Sequence, residues 1–217
     1  MANDTDKTSE LTQEELDRIV ETGREAHFRK YLAETDETLT ADLSRKYHDA
    51  VPPARIEAML AMPTQFDDRE AFDRALAKAG PGPMDGGRVV GYSRFDTEPA
   101  HVAVDHLEIP KTIAHERLHQ LSDPNAPNEL GGALYEGVTE DLAIDAIGAE
   151  SDQPSQRCYP VERSLAKEAR EIAGDDAVER AYFAGDASEL RRRLDQQLGP
   201  GGLERLQQQI VDLSRSA

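Results

Sequence analysis

The chain has one cysteine, Cys158, and no tryptophan. A single thiol cannot close an internal disulfide, nor can it supply the cysteine cluster of a structural zinc site. Basic residues are also scarce: 25 Lys and Arg stand against 43 Asp and Glu, giving a formal charge of -18. Binding phosphates needs a basic surface that releases counterions, so nucleic acid is not expected as a partner. The same deficit argues against an anionic membrane surface. No run of eighteen apolar residues is present, so no membrane span is expected. The opening MANDTDKTSE lacks the apolar stretch of a secretory signal, which makes cytoplasmic location the expectation. Only six of the 25 bases are lysines. Such acid-rich, lysine-poor composition resembles that of proteins from salt-loving organisms, where counterions screen self-repulsion. An ordinary acidic, solvated surface gives the same figures.

What is present suffices for one domain, or one with a helical appendage: 217 residues, 38% of them hydrophobic. Residues 1–10 read as disordered. Thr12 and Glu15 form a capping-box pattern that opens a helix to about Leu32, with Leu16, Ile19, Val20 and Phe28 at helical spacing. Further helices are predicted over 39–47, 54–62 and 67–79, the third of these ending at Gly80. Pro52 and Pro53 separate the first two, and Pro53 suits a first helical turn. The Gly- and Pro-rich stretch 80–87 is the clearest break. Two short Val-containing strands follow, over 88–92 and 101–107. Then come a helix from near Pro110 to Leu121, a loop over 122–128, and a helix over 133–147. After a loop around Pro154 and Pro160, helices are predicted over 161–173, 176–183 and 187–198, with a last one after Gly201 and Gly202. The expected class is α+β, mostly helical. Four segments follow from this pattern: a disordered tail (1–10), an N-terminal helical region (11–86), a core (87–150) and a C-terminal helical region (151–217).

The core carries the chemistry. His115-Glu116-Arg117-Leu118-His119 is an HExxH pattern on a predicted helix. Residues four apart share a helical face, so both imidazoles can address one ion. Glu116 emerges to the side of that pair, where it can reach a metal-activated water without being a ligand. Zinc lowers the pKa of bound water to about 7. A neighbouring carboxylate can take that water's proton during attack on a carbonyl and pass it to the leaving amine. An unrelated His pair on a surface helix is the competing reading. A catalytic zinc also needs a third protein ligand, and sixteen residues separate His119 from Glu136, in Leu134-Tyr135-Glu136-Gly137-Val138-Thr139-Glu140.

In these residues, about 102–147, the chain resembles the gluzincin metallopeptidases, the group of thermolysin-like and aminopeptidase N-like enzymes. The resemblance implies a minimal zincin core, meaning a small β-sheet, the HExxH helix and a helix bearing the third ligand. It implies one Zn2+ per chain, held by His115, His119 and Glu136, with Glu116 as general base and a peptide or protein as substrate. It also implies that Glu140 receives a hydrogen bond from a metal-bound His and fixes its tautomer. Glu140 or Asp141 as the ligand itself is the local alternative. Many such enzymes place a Tyr beside the metal to stabilise the oxyanion, and Tyr159 and Tyr182 are both candidates here. The segment 101–107 is the candidate for the substrate-pairing strand or its neighbour. Arg117 departs from the family pattern, whose corresponding position is commonly uncharged, although it lies well round the helix from the His face. That departure, with the long N-terminal helices, motivates the alternative of an inactive metal-binding regulatory module. The other histidines, His27, His48, His101 and His106, read as exposed or core residues, and Cys158 as a small buried one. Asp175 reads as a helix N-cap.

Overall fold

The computed structural model describes residues 13–79, 89–93, 98–105, 109–148 and 159–214. The predicted N-terminal tail, the Thr12 cap, the break at 80–87, His106, Cys158 and the loop around Pro154 lie outside the described residues. The chain divides into two compact units, residues 1–35 and 36–217. The predicted segment 11–86 straddles that division, because residues 36–79 belong to the same unit as the strands and later helices.

The first unit contributes the N-terminal part of α1 (Gln13–Lys46). Here Val20, Phe28 and Tyr31 are exposed, and Arg29 with Glu25 makes an ion pair one turn apart. Separate helices were expected on either side of residues 33–38, but α1 runs through them unbroken. No Gly or Pro interrupts that stretch, and its polar side chains are absorbed. Thr35 Oγ1 donates to the carbonyl of Tyr31 (2.8 Å) and Ser44 Oγ to that of Thr40 (2.7 Å), which removes their competition with the helical backbone.

In the second unit, α2 (Pro53–Ala61) starts with Pro53 in its first turn, as its spacing predicts. Residues 65–67 depart from expectation: they form a strand, β1 (Gln65–Asp67), and α3 (Arg69–Ala79) starts later than predicted. The cause is local. Asp68 Oδ1 accepts the amide of Ala71 at 2.8 Å, so Asp68 caps the helix and leaves the residues before it extended. Strands β2 (Gly91–Tyr92) and β3 (His101–Ala103) are shorter than predicted. The sheet order is β1-β3-β2, with β1 parallel and β2 antiparallel to the central β3. His101 stacks on Tyr92 (ring centroids 4.7 Å apart), and its Nδ1 lies 2.8 Å from Asp67, which ties all three strands together.

Helices then follow in order: α4 (Ile109–Leu121), α5 (Ala126–Leu130), α6 (Gly132–Ile147), α7 (Pro160–Ala173), α8 (Asp175–Ala184), α9 (Ser188–Leu198) and α10 (Gly202–Ser214). The short α5 occupies part of the predicted loop. Asp175 does not cap α8; Gly174, at φ 82°, does, and Asp175 is the first helical residue. Its carboxylate instead accepts from Arg170 Nε at 2.7 Å. The architecture is thus α+β, mostly helical, with a small mixed sheet. One core joins Leu43, Tyr47 and Met59 to Leu118 of α4, Leu142 of α6, Ala169 of α7 and Phe183 of α8. Each large aliphatic side chain fully buried there contributes roughly 1.5–3 kcal/mol. Among the described residues, no helix is long and apolar enough to cross a membrane.

Candidate metal centre

Helix α4 runs through the middle of this core. Every one of its residues is buried except Pro110 and His119, which are half-buried. Its buried polar groups must therefore find partners inside the protein. Lys111 Nζ donates to Glu140 Oε1 (2.9 Å), and Gln120 Nε2 donates to the carbonyl of Glu98 (2.9 Å). Arg117, 2% exposed, points away from the histidines. It donates to both oxygens of Asp36 (2.9 and 2.7 Å), to the carbonyls of Met59 and Met62, and to Gln120. Its charge is therefore spent on anchoring α4 to residues 36 and 59–62. Glu116 is different: its Oε2 is buried and has no partner.

On the opposite face of α4, His115 and His119 meet Glu136 of α6. The two Nε2 atoms are 3.0 Å apart. Glu136 Oε2 lies 3.3 Å from the Nε2 of His115 and 3.5 Å from that of His119. Two ligands bonded tetrahedrally to zinc at 2.0–2.1 Å are separated by about 3.3 Å. A triangle with the observed sides has a point about 2 Å from all three corners, as zinc requires. This is the group whose ligand atoms converge among the described residues.

The outer partners fix which nitrogens are free. His115 Nδ1 lies 3.1 Å from Glu140 Oε2. Burial opposes ionisation of Glu140, but its bonds to His115 and Lys111 hold its carboxyl below the usual range. An ionised carboxylate only accepts, so Nδ1 carries a proton, and Nε2, facing the triangle, is the nitrogen left with a lone pair when the ring is neutral. His119 Nδ1 lies 2.7 Å from the Tyr135 hydroxyl, which burial keeps protonated by pushing its pKa above the ordinary value. Burial also opposes a charge on His115. The hydrogen bonds to Glu136 and Glu140 and the nearby Glu116 charge outweigh it, however, and push the ring up to about 10. Glu136 is held far below its ordinary value: burial opposes ionisation, but His119 and His115 overcome it. The point between the three groups attracts positive charge strongly. Glu116, Glu136 and Glu140 are three carboxylates against the single ammonium of Lys111, leaving two negative charges with both imidazoles neutral. A divalent cation brings the group to neutrality.

Glu116 is near enough to His119, His115 and Glu136 for their charges to act on it. Burial raises its pKa, against the opposing influence of His119 and His115. Gly91 of β2 lies against it, and a Cβ there would come within 2.6 Å of Glu116 Oε1 and of Thr112 Cγ2. A side chain on β2 at this position would occupy the space Glu116 needs. Gly137, next to Glu136, serves packing instead: its Cβ would lie 2.2 Å from the Glu162 carbonyl oxygen, so α6 and α7 touch backbone to backbone.

The two candidate tyrosines are placed differently. Tyr182 is fully buried and its hydroxyl is 2.8 Å from Thr139 Oγ1, so its polar end is engaged within the core. Tyr159 is 40% exposed and lies nearly parallel to the His115 ring, with centroids 6.0 Å apart. It is the one non-glycine among the described residues with positive φ (53°), a conformation that costs free energy. Asp141, the alternative ligand, is paired with Arg163 and Arg170 and faces away from the triangle. Two contributors escape sequence reasoning. Lys111 sits one turn before His115, a spacing that places it on the same face. Tyr135 directly precedes Glu136, and nothing in its spacing marks it. No protein-family model matches the chain, and no curated protein or solved structure matches it either.

Proposed function

We propose that the chain is a zinc-dependent peptidase built on a minimal zincin core, comprising the sheet, α4 and α6, with His115, His119 and Glu136 as the zinc ligands. One observation carries this reading. Two imidazole Nε2 atoms and a carboxylate oxygen converge to within 3.5 Å of one another, a triangle the size of a tetrahedral ion's ligand set. A positive charge belongs at its centre: a proton on His115 in the metal-free protein, and a metal ion once that proton has left. Mixed nitrogen and oxygen ligands in a tetrahedral triangle favour zinc over calcium or magnesium, which take oxygen ligands in larger shells.

When bound, zinc supplies an electrophile for a carbonyl and acidifies water to a pKa of about 7. The chain's own residues do the rest. Glu116, buried, raised in pKa and with an unpartnered oxygen, accepts a proton from the attacking water and releases it to the departing amine. Glu140 holds His115 with its Nε2 toward the ion, and Lys111 keeps Glu140 ionised. Tyr159, at the exposed side of His115, is the tyrosine positioned to meet substrate. Extended peptide or protein is the substrate class that this chemistry and an adjacent strand edge suit. The inactive-module alternative loses part of its motivation, since Arg117 is turned away from the ligands and anchors α4.

The test is direct. Purified protein is expected to bind one zinc per chain and to cleave members of a mixed peptide library. Glu116→Gln is expected to retain zinc while cleavage falls at least 100-fold. Cleavage at the wild-type rate in that variant would remove Glu116 as the base. A zinc-loaded wild type that cleaves nothing would favour the inactive module.

A further inference from the structure

The two histidines have different outer partners, and that of His119 forms a closed ring. His119 Nδ1 is 2.7 Å from Tyr135 Oη, and Tyr135 Oη is 2.8 Å from Ser122 Oγ. Ser122 Oγ donates to the backbone carbonyl of His119 itself, at 2.8 Å. Counting protons settles the direction of each bond. Ser122 has one hydroxyl proton and spends it on the carbonyl, so toward Tyr135 it can only accept. Tyr135 has one as well and spends it on Ser122. His119 Nδ1 must then be the donor, which leaves Nε2 without a proton and facing Glu136. The ring begins and ends on one residue and contains no charge, whereas His115 leans on a carboxylate that is itself paired with Lys111.

We infer that Tyr135, set by Ser122, is a positioning residue that locks His119 in the tautomer whose Nε2 is free to bind the metal. Packing supports the assignment. Tyr135 is 5% exposed, and its ring is held between those of His119 (centroids 5.0 Å) and Tyr182 (5.3 Å). Its hydroxyl therefore has little freedom to turn elsewhere. Because Tyr135 is adjacent to Glu136 on α6, the same turn of helix supplies one ligand and orients another. The metal-affinity consequence rests on the zinc reading; the tautomer does not.

The test uses the full chain and Tyr135→Phe, which removes the hydroxyl and keeps the ring. In the metal-free protein at pH 8, long-range 1H–15N correlations are expected to show His119 protonated at Nδ1. Tyr135→Phe is expected to shift it toward the Nε2-protonated form. In competition against a chromophoric zinc chelator, Tyr135→Phe is expected to bind zinc 10- to 100-fold more weakly, the range typical of lost outer partners. Tyr47→Phe, which removes a buried hydroxyl without a hydrogen-bond partner among the described residues from the same core, is expected to leave both readouts unchanged. Should Tyr135→Phe fail to fold, Ser122→Ala takes its place, with the same tautomer shift expected. Unchanged His119 tautomer in Tyr135→Phe and Ser122→Ala, or equal losses from Tyr47→Phe, would overturn the inference. A wild type that binds no zinc but shows the tautomer shift would overturn the zinc reading and leave the role of Tyr135 standing.

Discussion

The guanidinium of Arg117 lies against the carboxylate of Asp36 as a two-pronged pair, Nε to Oδ1 at 2.9 Å and Nη2 to Oδ2 at 2.7 Å. Asp36 is filled further by the amide and hydroxyl of Thr64, at 3.0 and 2.7 Å. The residue between Glu116 and Leu118 is thereby bolted to the chain upstream of the sheet, and the rotation of α4 is fixed. That rotation decides where His115, Glu116 and His119 point.

Removing one partner of this pair should be costly. Asp36→Ala leaves Arg117 buried and uncompensated, with an expected loss of about 3–5 kcal/mol in urea denaturation. Combining it with Arg117→Met should cost clearly less than the two single losses added together. Losses below about 0.5 kcal/mol, the range of ordinary surface substitutions, would show that the pair does not anchor α4.

Gly91→Ala tests the fit between β2 and Glu116. Its methyl group would come within 2.6 Å of Glu116 Oε1, so the carboxylate must shift while the three ligands stay put. Zinc binding should persist, and kcat should fall on the order of 100-fold, as for a 1 Å misplacement of a reacting group. Wild-type kcat would mean that Glu116 has room to spare.

Gly137→Ala should act on stability instead. The obstacle is the backbone carbonyl of Glu162, 2.2 Å from the added carbon, and backbone cannot swing aside as a side chain can. The expected loss is about 1–3 kcal/mol in urea denaturation, the usual range for overpacking. A neutral result would show that α7 slides freely on α6.

Much of this was legible in the sequence, and the limits have physical causes. His115 and His119 lie four apart on one helix and Glu136 and Glu140 four apart on another, so helical spacing alone places each pair on a shared face, with Glu116 to the side of the first. The structure brings His115, His119 and Glu136 together, with Glu140 against His115. The partners that complete the site come from elsewhere, or from positions with no distinguishing period. Asp36 lies 81 residues before Arg117, and a Tyr beside a ligand looks like any core tyrosine. Residues 65–67 were predicted partly as helix because the capping role of Asp68 depends on its φ/ψ, which composition does not reveal. Residues 33–38 look like a break because Thr and Asp compete with helical hydrogen bonds; Thr35 is satisfied within the helix, but the partners of Asp36, Arg117 and Thr64, come from far along the chain.

Metal binding should depend on pH with a definite sign. His115 in the metal-free protein is raised from 6.5 to about 10, so below about pH 10 a proton must leave before Nε2 can bind an ion. About one proton should be released per zinc at pH 8, measurable by calorimetry in buffers of different ionisation enthalpy. Affinity should therefore rise roughly tenfold per pH unit between pH 7 and 9. The metal-free fold should behave oppositely. Its stabilisation by charged His115 is complete below about pH 6.5 and is lost as pH rises through about 10. Zinc affinity that does not change over this interval would contradict a protonated His115.

Zinc-edge X-ray absorption on the full-length protein, after dialysis against micromolar zinc, tests the metal centre most directly. One ion per chain is expected, with two imidazole nitrogens and a carboxylate oxygen at about 2.0–2.1 Å, and one imidazole should be lost in His119→Ala. No retained zinc, or a shell of oxygens without imidazole scattering, would contradict it.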